Sequence, residues 1–165
     1  RVIDHNARRA KITATYTDVG VEPIIKEMAF VIMWQGEMLD KGRGFDFDNH
    51  IQVQEGDPEA DIIITDHTYW TYDVTLYFPH GYKAVTVYPD LVTIQFTFSQ
   101  YEQYPDDSEL TATEFISEGM DLDQAAKFFV FKSTAGKYYK VLFFSSGNAE
   151  IDLLFSYLEL LPPQE

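Results

Sequence analysis

Phe128-Phe129-Val130-Phe131-Lys132 and the run from Lys137 to Ser145 flank the polar segment Ser133-Thr134-Ala135-Gly136. Aromatic and β-branched residues of this density suit a pleated, half-buried surface. Gly136 supplies the left-handed residue that a tight hairpin turn needs. Two antiparallel strands follow. After Ser146-Gly147-Asn148, the segment Ile151 to Leu160 alternates Ile151, Leu153, Phe155 and Tyr157 with Asp152, Leu154, Ser156 and Leu158. One face is apolar and the other partly so, as in a strand covered on one side and half-covered on the other.

The same pattern extends back along the chain. Val92-Thr93-Ile94-Gln95-Phe96-Thr97-Phe98 alternates apolar and polar residues and predicts a strand with one wet face. Tyr72 to Phe78 and Lys83 to Tyr88 read as consecutive antiparallel strands, punctuated by Pro79, Gly81 and Pro89-Asp90. Residues 23 to 39 carry two readings. Pro23 followed by Ile24, Ile25, Met28, Ala29, Ile32 and Met33 at three-to-four spacing suits a helix, whereas Ala29 to Trp34 suits a buried strand. Asp121 stands as an N-cap before a single turn, Leu122 to Ala126. The loops Asp40 to Gly44, Glu55 to Glu59 and Pro105 to Ser108 are rich in charge and turn formers. The fold class expected is mainly β: an antiparallel β-sandwich or barrel-like sheet pair with an N-terminal helix as the open alternative.

At 165 residues the chain fits one domain, 1–165, burying roughly 70% of its unfolded surface. Its 45% apolar content is enough to offset the entropy of ordering, which excludes a disordered chain. Twenty-seven acidic against 12 basic residues give a net charge of −15, which repels nucleic-acid backbones and anionic lipid. The one basic cluster, Arg8, Arg9 and Lys11, reads as a feature of a terminal strand. With no cysteine there is no disulfide, thiolate nucleophile or Cys-ligated metal. Acidity, the absence of thiols and the wealth of Tyr, Phe and Thr carry the expectation of a secreted or cell-surface protein. Arg1 in first position carries the expectation of a leader or lipid anchor ahead of it. The longest apolar run, Met28 to Trp34, falls far short of the ~20 residues that span a bilayer.

Three groups of side chains carry candidate chemistry. Asp46 and Asp48 lie on one side of an extended segment, with Asp57 and Asp61 close behind, and hard carboxylate oxygens in loops are what calcium takes. The EF-hand spacing is absent, and the alternative is a solvated acidic surface. His67 and His80, with His50, could hold a metal or haem iron through neutral imidazole, against the alternative of solvated histidines. Tyr69-Trp70-Thr71-Tyr72 offers an aromatic platform for a sugar, haem or a partner surface, against core packing. No nucleophile elbow, phosphate loop, dinucleotide fingerprint or HExxH helix occurs, so no catalytic residue is assigned and a non-enzymatic role is expected.

The stretch Lys127 to Val141, followed by a polar turn and Leu154-Phe155-Ser156-Tyr157, resembles the closing three strands of HmuY-like bacterial surface lipoproteins. Gly44-Phe45-Asp46-Phe47-Asp48 and Asp57-Pro58-Glu59-Ala60-Asp61-Ile62 are similar to sequences of secreted proteins that share this ending. The resemblance implies a mostly-β fold and, as in the founding members, haem capture. The family's axial His shortly before the closing hairpin is missing here, where the chain reads Ile116-Ser117-Glu118-Gly119-Met120. Met120 would then serve as a thioether ligand opposite a distant His. The expected ligand-binding set is therefore His67, Tyr69, Trp70, Tyr72, His80 and Met120, in a surface module for haem or another flat aromatic ligand. The alternatives are a structural subunit of a surface filament or coat, assembling by strand complementation, and a carbohydrate-binding module.

Overall fold

The computed structural model describes residues 9–17, 20, 22, 24–31, 34–39, 41–68, 73–87, 91–117, 127–145 and 152–163. The chain divides into two compact units, Arg1–Met33 and Trp34–Glu165. The first is an antiparallel ribbon of β1 (Arg9–Tyr16) and β2 (Ile24–Val31), in register from Arg9↔Val31 to Tyr16↔Ile24. The helix reading of residues 23–39 is thereby corrected. Ile24, Ile25, Phe30 and Val31 are better strand than helix formers, and every position of β2 has a partner on β1.

The second unit runs through β3 (Trp34–Leu39), β4 (Arg43–Asp46), β5 (Ile51–Gln54), β6 (Ile62–Thr68), β7 (Asp73–Thr86), α1 (Leu91–Gln100), β8 (Ala112–Ser117), β9 (Lys127–Lys132), β10 (Tyr138–Ser145) and β11 (Asp152–Leu160), with a 3₁₀ turn at Asp107–Glu109. Among the described residues its nine strands form one antiparallel sheet ordered β3-β11-β10-β9-β7-β6-β4-β5, with β8 beside β7. The sheet curls into a half-barrel, so the mainly β, barrel-like expectation holds. The β9–β10 hairpin forms where the sequence places it. Gly136 sits at φ +82°, and Ser133 N donates to Lys137 O at 2.7 Å. Along β11, Leu153, Phe155 and Tyr157 are buried, Leu154 is exposed, and Ser156 and Leu158 are covered from the other side.

Two further expectations need correction. Residues 92–98 form most of α1 rather than a strand. A strand would set Ile94, Phe96 and Phe98 on one face. The helix instead buries Ile94 and Phe98, one turn apart, and leaves Phe96 67% exposed. Ile94 and Phe98 pack on Phe128, Val130, Tyr138, Leu142 and Leu160. Lys140, 3% exposed, reaches across from β10 and donates its Nζ to the carbonyls of Phe98 and Tyr101. That cation satisfies orphan carbonyls at the helix C-terminus and complements its dipole.

The segments 72–78 and 83–88 are not two strands joined by a turn, for β7 runs unbroken from Asp73 to Thr86. Pro79 and Gly81 bend it instead of ending it. Gly81 sits at φ +79°, and the register against β8 shifts between Tyr77 and Tyr82. Residues 73–77 pair with β6, whereas 82–86 pair with β9.

The inner face of the curl is filled by aromatic rings. Phe45 lies 4.9 Å from Phe155 and Phe47 lies 4.9 Å from Phe131, both edge-on, which packs the β4 end across onto β9–β11. The Asp121 cap falls outside the described residues. No helix among those described is long and apolar enough to cross a membrane.

Candidate functional site

The corner where the β4–β5 turn meets the β9–β10 turn gathers three carboxylates. Gly44 lets β4 run between β5 and β6, since a Cβ there would stand 2.8 Å from the Ile62 carbonyl oxygen. This delivers Asp46, the last residue of β4, into the corner. Its Oδ1 accepts the Asn49 backbone N–H at 2.9 Å and its Oδ2 the Asn49 side-chain amide at 2.7 Å. Asp61, at the entry to β6, fastens both turns. Its Oδ2 accepts from Phe47 N at 2.8 Å and its Oδ1 from Thr134 N at 2.7 Å. Asp48 Oδ1 accepts from Tyr139 Oη at 3.0 Å and from Lys137 Nζ at 3.1 Å. Asp48 Oδ2 is buried with no hydrogen-bond partner. A carboxylate oxygen from each of Asp46, Asp48 and Asp61 lies within 4.8 Å of the other two. Asp46 and Asp61 are each only 1% exposed. His50, in the left-handed region at φ +60°, places Nδ1 2.7 Å from Tyr157 Oη.

Three anions this close repel one another strongly in a medium of reduced dielectric. Burial pushes the Asp61 carboxyl up to about 6; the N–H donors of Thr134 and Phe47 oppose the rise, and the charges of Asp48 and Asp46 add to it. Burial also works against the Asp48 anion, but the nearby Ser133 hydroxyl, the hydrogen bonds from Lys137 and Tyr139 and the Lys137 charge outweigh it and hold Asp48 below its ordinary range. Burial and the Asp46 charge push the Tyr157 phenol up. Tyr157 therefore stays neutral, a donor or acceptor beside His50.

Three of the four carboxylates singled out in the sequence meet here. Asp57 does not, for its carboxylate accepts from Glu59 N at 3.0 Å within the β5–β6 turn. Of the ligand-binding set, His67 lies on β6 opposite Val74, and His80 is exposed farther along β7. Tyr69, Trp70, Tyr72 and Met120 lie outside the described residues. Ser133, Thr134, Lys137, Tyr139 and Tyr157 complete the corner without any local sequence signal, because they arrive from strands distant in the chain. No family model matches the chain, and neither the curated proteins nor the solved structures yield a match.

Proposed function

We propose that this chain is a secreted or cell-surface binding module in which Asp46, Asp48 and Asp61 hold a hard divalent cation of the calcium class. Two observations carry the reading: one oxygen from each of the three carboxylates lies within 4.8 Å of the others, and Asp48 keeps a buried Oδ2 with no hydrogen-bond partner. Carboxylate and carbonyl oxygens are the donor set that calcium takes, and extracellular modules bind it at ~10⁻⁴–10⁻³ M. The cation would offset the mutual repulsion of the three anions and tie the two turns together. Thermal unfolding with chelator and with added calcium tests this. At ~100-fold excess over the dissociation constant, binding adds about 2.7 kcal/mol, which for a chain of this size raises Tm by about 5–10 °C. Asp48→Asn should abolish the rise. Identical melting curves with chelator and with calcium would overturn the reading.

A second ligand is supported at the other end of β6. The pairings Thr68↔Asp73 and Val74↔Ser117 set the end of β6, the start of β7 and the end of β8 side by side. The reading is a flat aromatic ligand such as haem taken there, in line with the HmuY-like resemblance of the closing hairpin. Haem titration should shift the Soret band, and an unshifted band removes this ligand while leaving the cation reading intact.

A further inference from the structure

Strand complementation needs a free edge, and the long apolar β11 has none: it pairs with β10 on one side and β3 on the other. The ribbon of β1 and β2 is the better candidate. It forms a compact unit of its own and its two strands pair only with each other among the described residues. A two-stranded ribbon is marginal in water without further strands or a surface to cover it. Its register pairs Arg9, Lys11 and Thr13 with Val31, Ala29 and Glu27, and Ala10, Ile12 and Ala14 with Phe30, Met28 and Lys26. Tyr16 is 63% exposed and Ile25 is 59% exposed.

Charge separates the two units. Arg1–Met33 carries Arg1, Arg8, Arg9, Lys11 and Lys26 against four acidic residues, a net +1, so of the total −15 the unit Trp34–Glu165 holds −16. Strand β1, with Arg9 and Lys11 and no acidic residue, thus belongs to a chain whose other unit is strongly acidic, and a second copy supplies the complementary partner. Within the acidic unit, β8 pairs only with β7 among the described residues. It presents Glu114 and a 60% exposed Ile116 to solvent, with Asp106, Asp107 and Glu109 just before it. An unpaired strand edge of this kind is a template for pairing with another chain.

We propose that the β1–β2 ribbon docks on a second copy of the chain, its basic β1 edge adding to the acidic β8 edge. The contact goes beyond the cation and aromatic-ligand readings, and none of the residues substituted in its test belongs to them. Sedimentation of the full chain over a concentration series tests it. The wild type should associate, less so at high salt. Arg9→Glu with Lys11→Glu should weaken association about tenfold or more, because like charges then face each other. Glu114→Lys on the exposed β8 surface should weaken it similarly, which guards against a ribbon variant that merely misfolds. Combining Glu114→Lys with the two ribbon substitutions should restore association. A wild type that stays monomeric at every concentration, or association unmoved by both sets of substitutions, would overturn the proposal.

Discussion

Gly81→Ala is expected to cost about 4 kcal/mol of unfolding free energy, the sum of a left-handed backbone penalty of about 1–2 and an overpacking cost of about 1–3. Gly81 holds φ +79°, and a Cβ there would stand 2.4 Å from the Leu110 carbonyl oxygen and 3.1 Å from its carbon. Both atoms are backbone, so no rotamer change relieves the clash. The strand must straighten or the 105–111 segment must move, and either displaces the bend at which β7 passes from β6 to β9. Gly136→Ala is the control, since its φ is +82° and nothing lies within 4 Å of a Cβ there. Only the backbone penalty of about 1–2 kcal/mol should appear at that site. Urea unfolding of both variants decides the matter, and equal losses would show that the Leu110 contact carries no weight.

The second large effect is a stability that rises on mild acidification when the carboxylate corner is stripped of cations by chelator. Asp61 titrates at about 6 in the folded chain against an ordinary value of 3.8, so the folded state binds the proton more tightly. Its contribution is fully present below 3.8 and lost as pH rises through about 6. At about 1.4 kcal/mol for each tenfold change in proton affinity, this amounts to about 3 kcal/mol. Asp48, held below its ordinary value, works in the opposite sense only at lower pH. Urea unfolding at about pH 4.5 should therefore show greater stability than at about pH 7.5. Asp61→Asn should flatten the difference. A wild type that loses stability over the same range would show that Asp61 remains ionised in the folded chain.

How far the sequence could be read depended on whether neighbouring residues or distant ones decided each feature. The closing hairpin was legible because Gly136 and the aromatic runs beside it act locally. Residues 92–98 misled because a β-like alternation also contains an i,i+4 pair, and only the apolar surface of Phe128, Val130 and Leu142 favours burying Ile94 with Phe98 over burying all three apolar residues. Asp90 directly ahead of Leu91 is the local helix-start signal in this stretch. Pro79 and Gly81 suit a turn and a strand bend alike, because turn formers and strand bends share the same residues. Asp46, Asp48 and Asp61 were visible as a spacing, yet Tyr139, Thr134 and Lys137 could be placed beside them only by the curl of the sheet.

The pairing of β3 with β11 joins Trp34–Leu39 to Asp152–Tyr157, so one strand near the front of this unit waits for the last to emerge before its ladder can form. Contacts so far apart in sequence slow the search for the native state. During synthesis the early strand spends that interval without its neighbour, a window in which rapid handover to a holding chaperone would limit clumping.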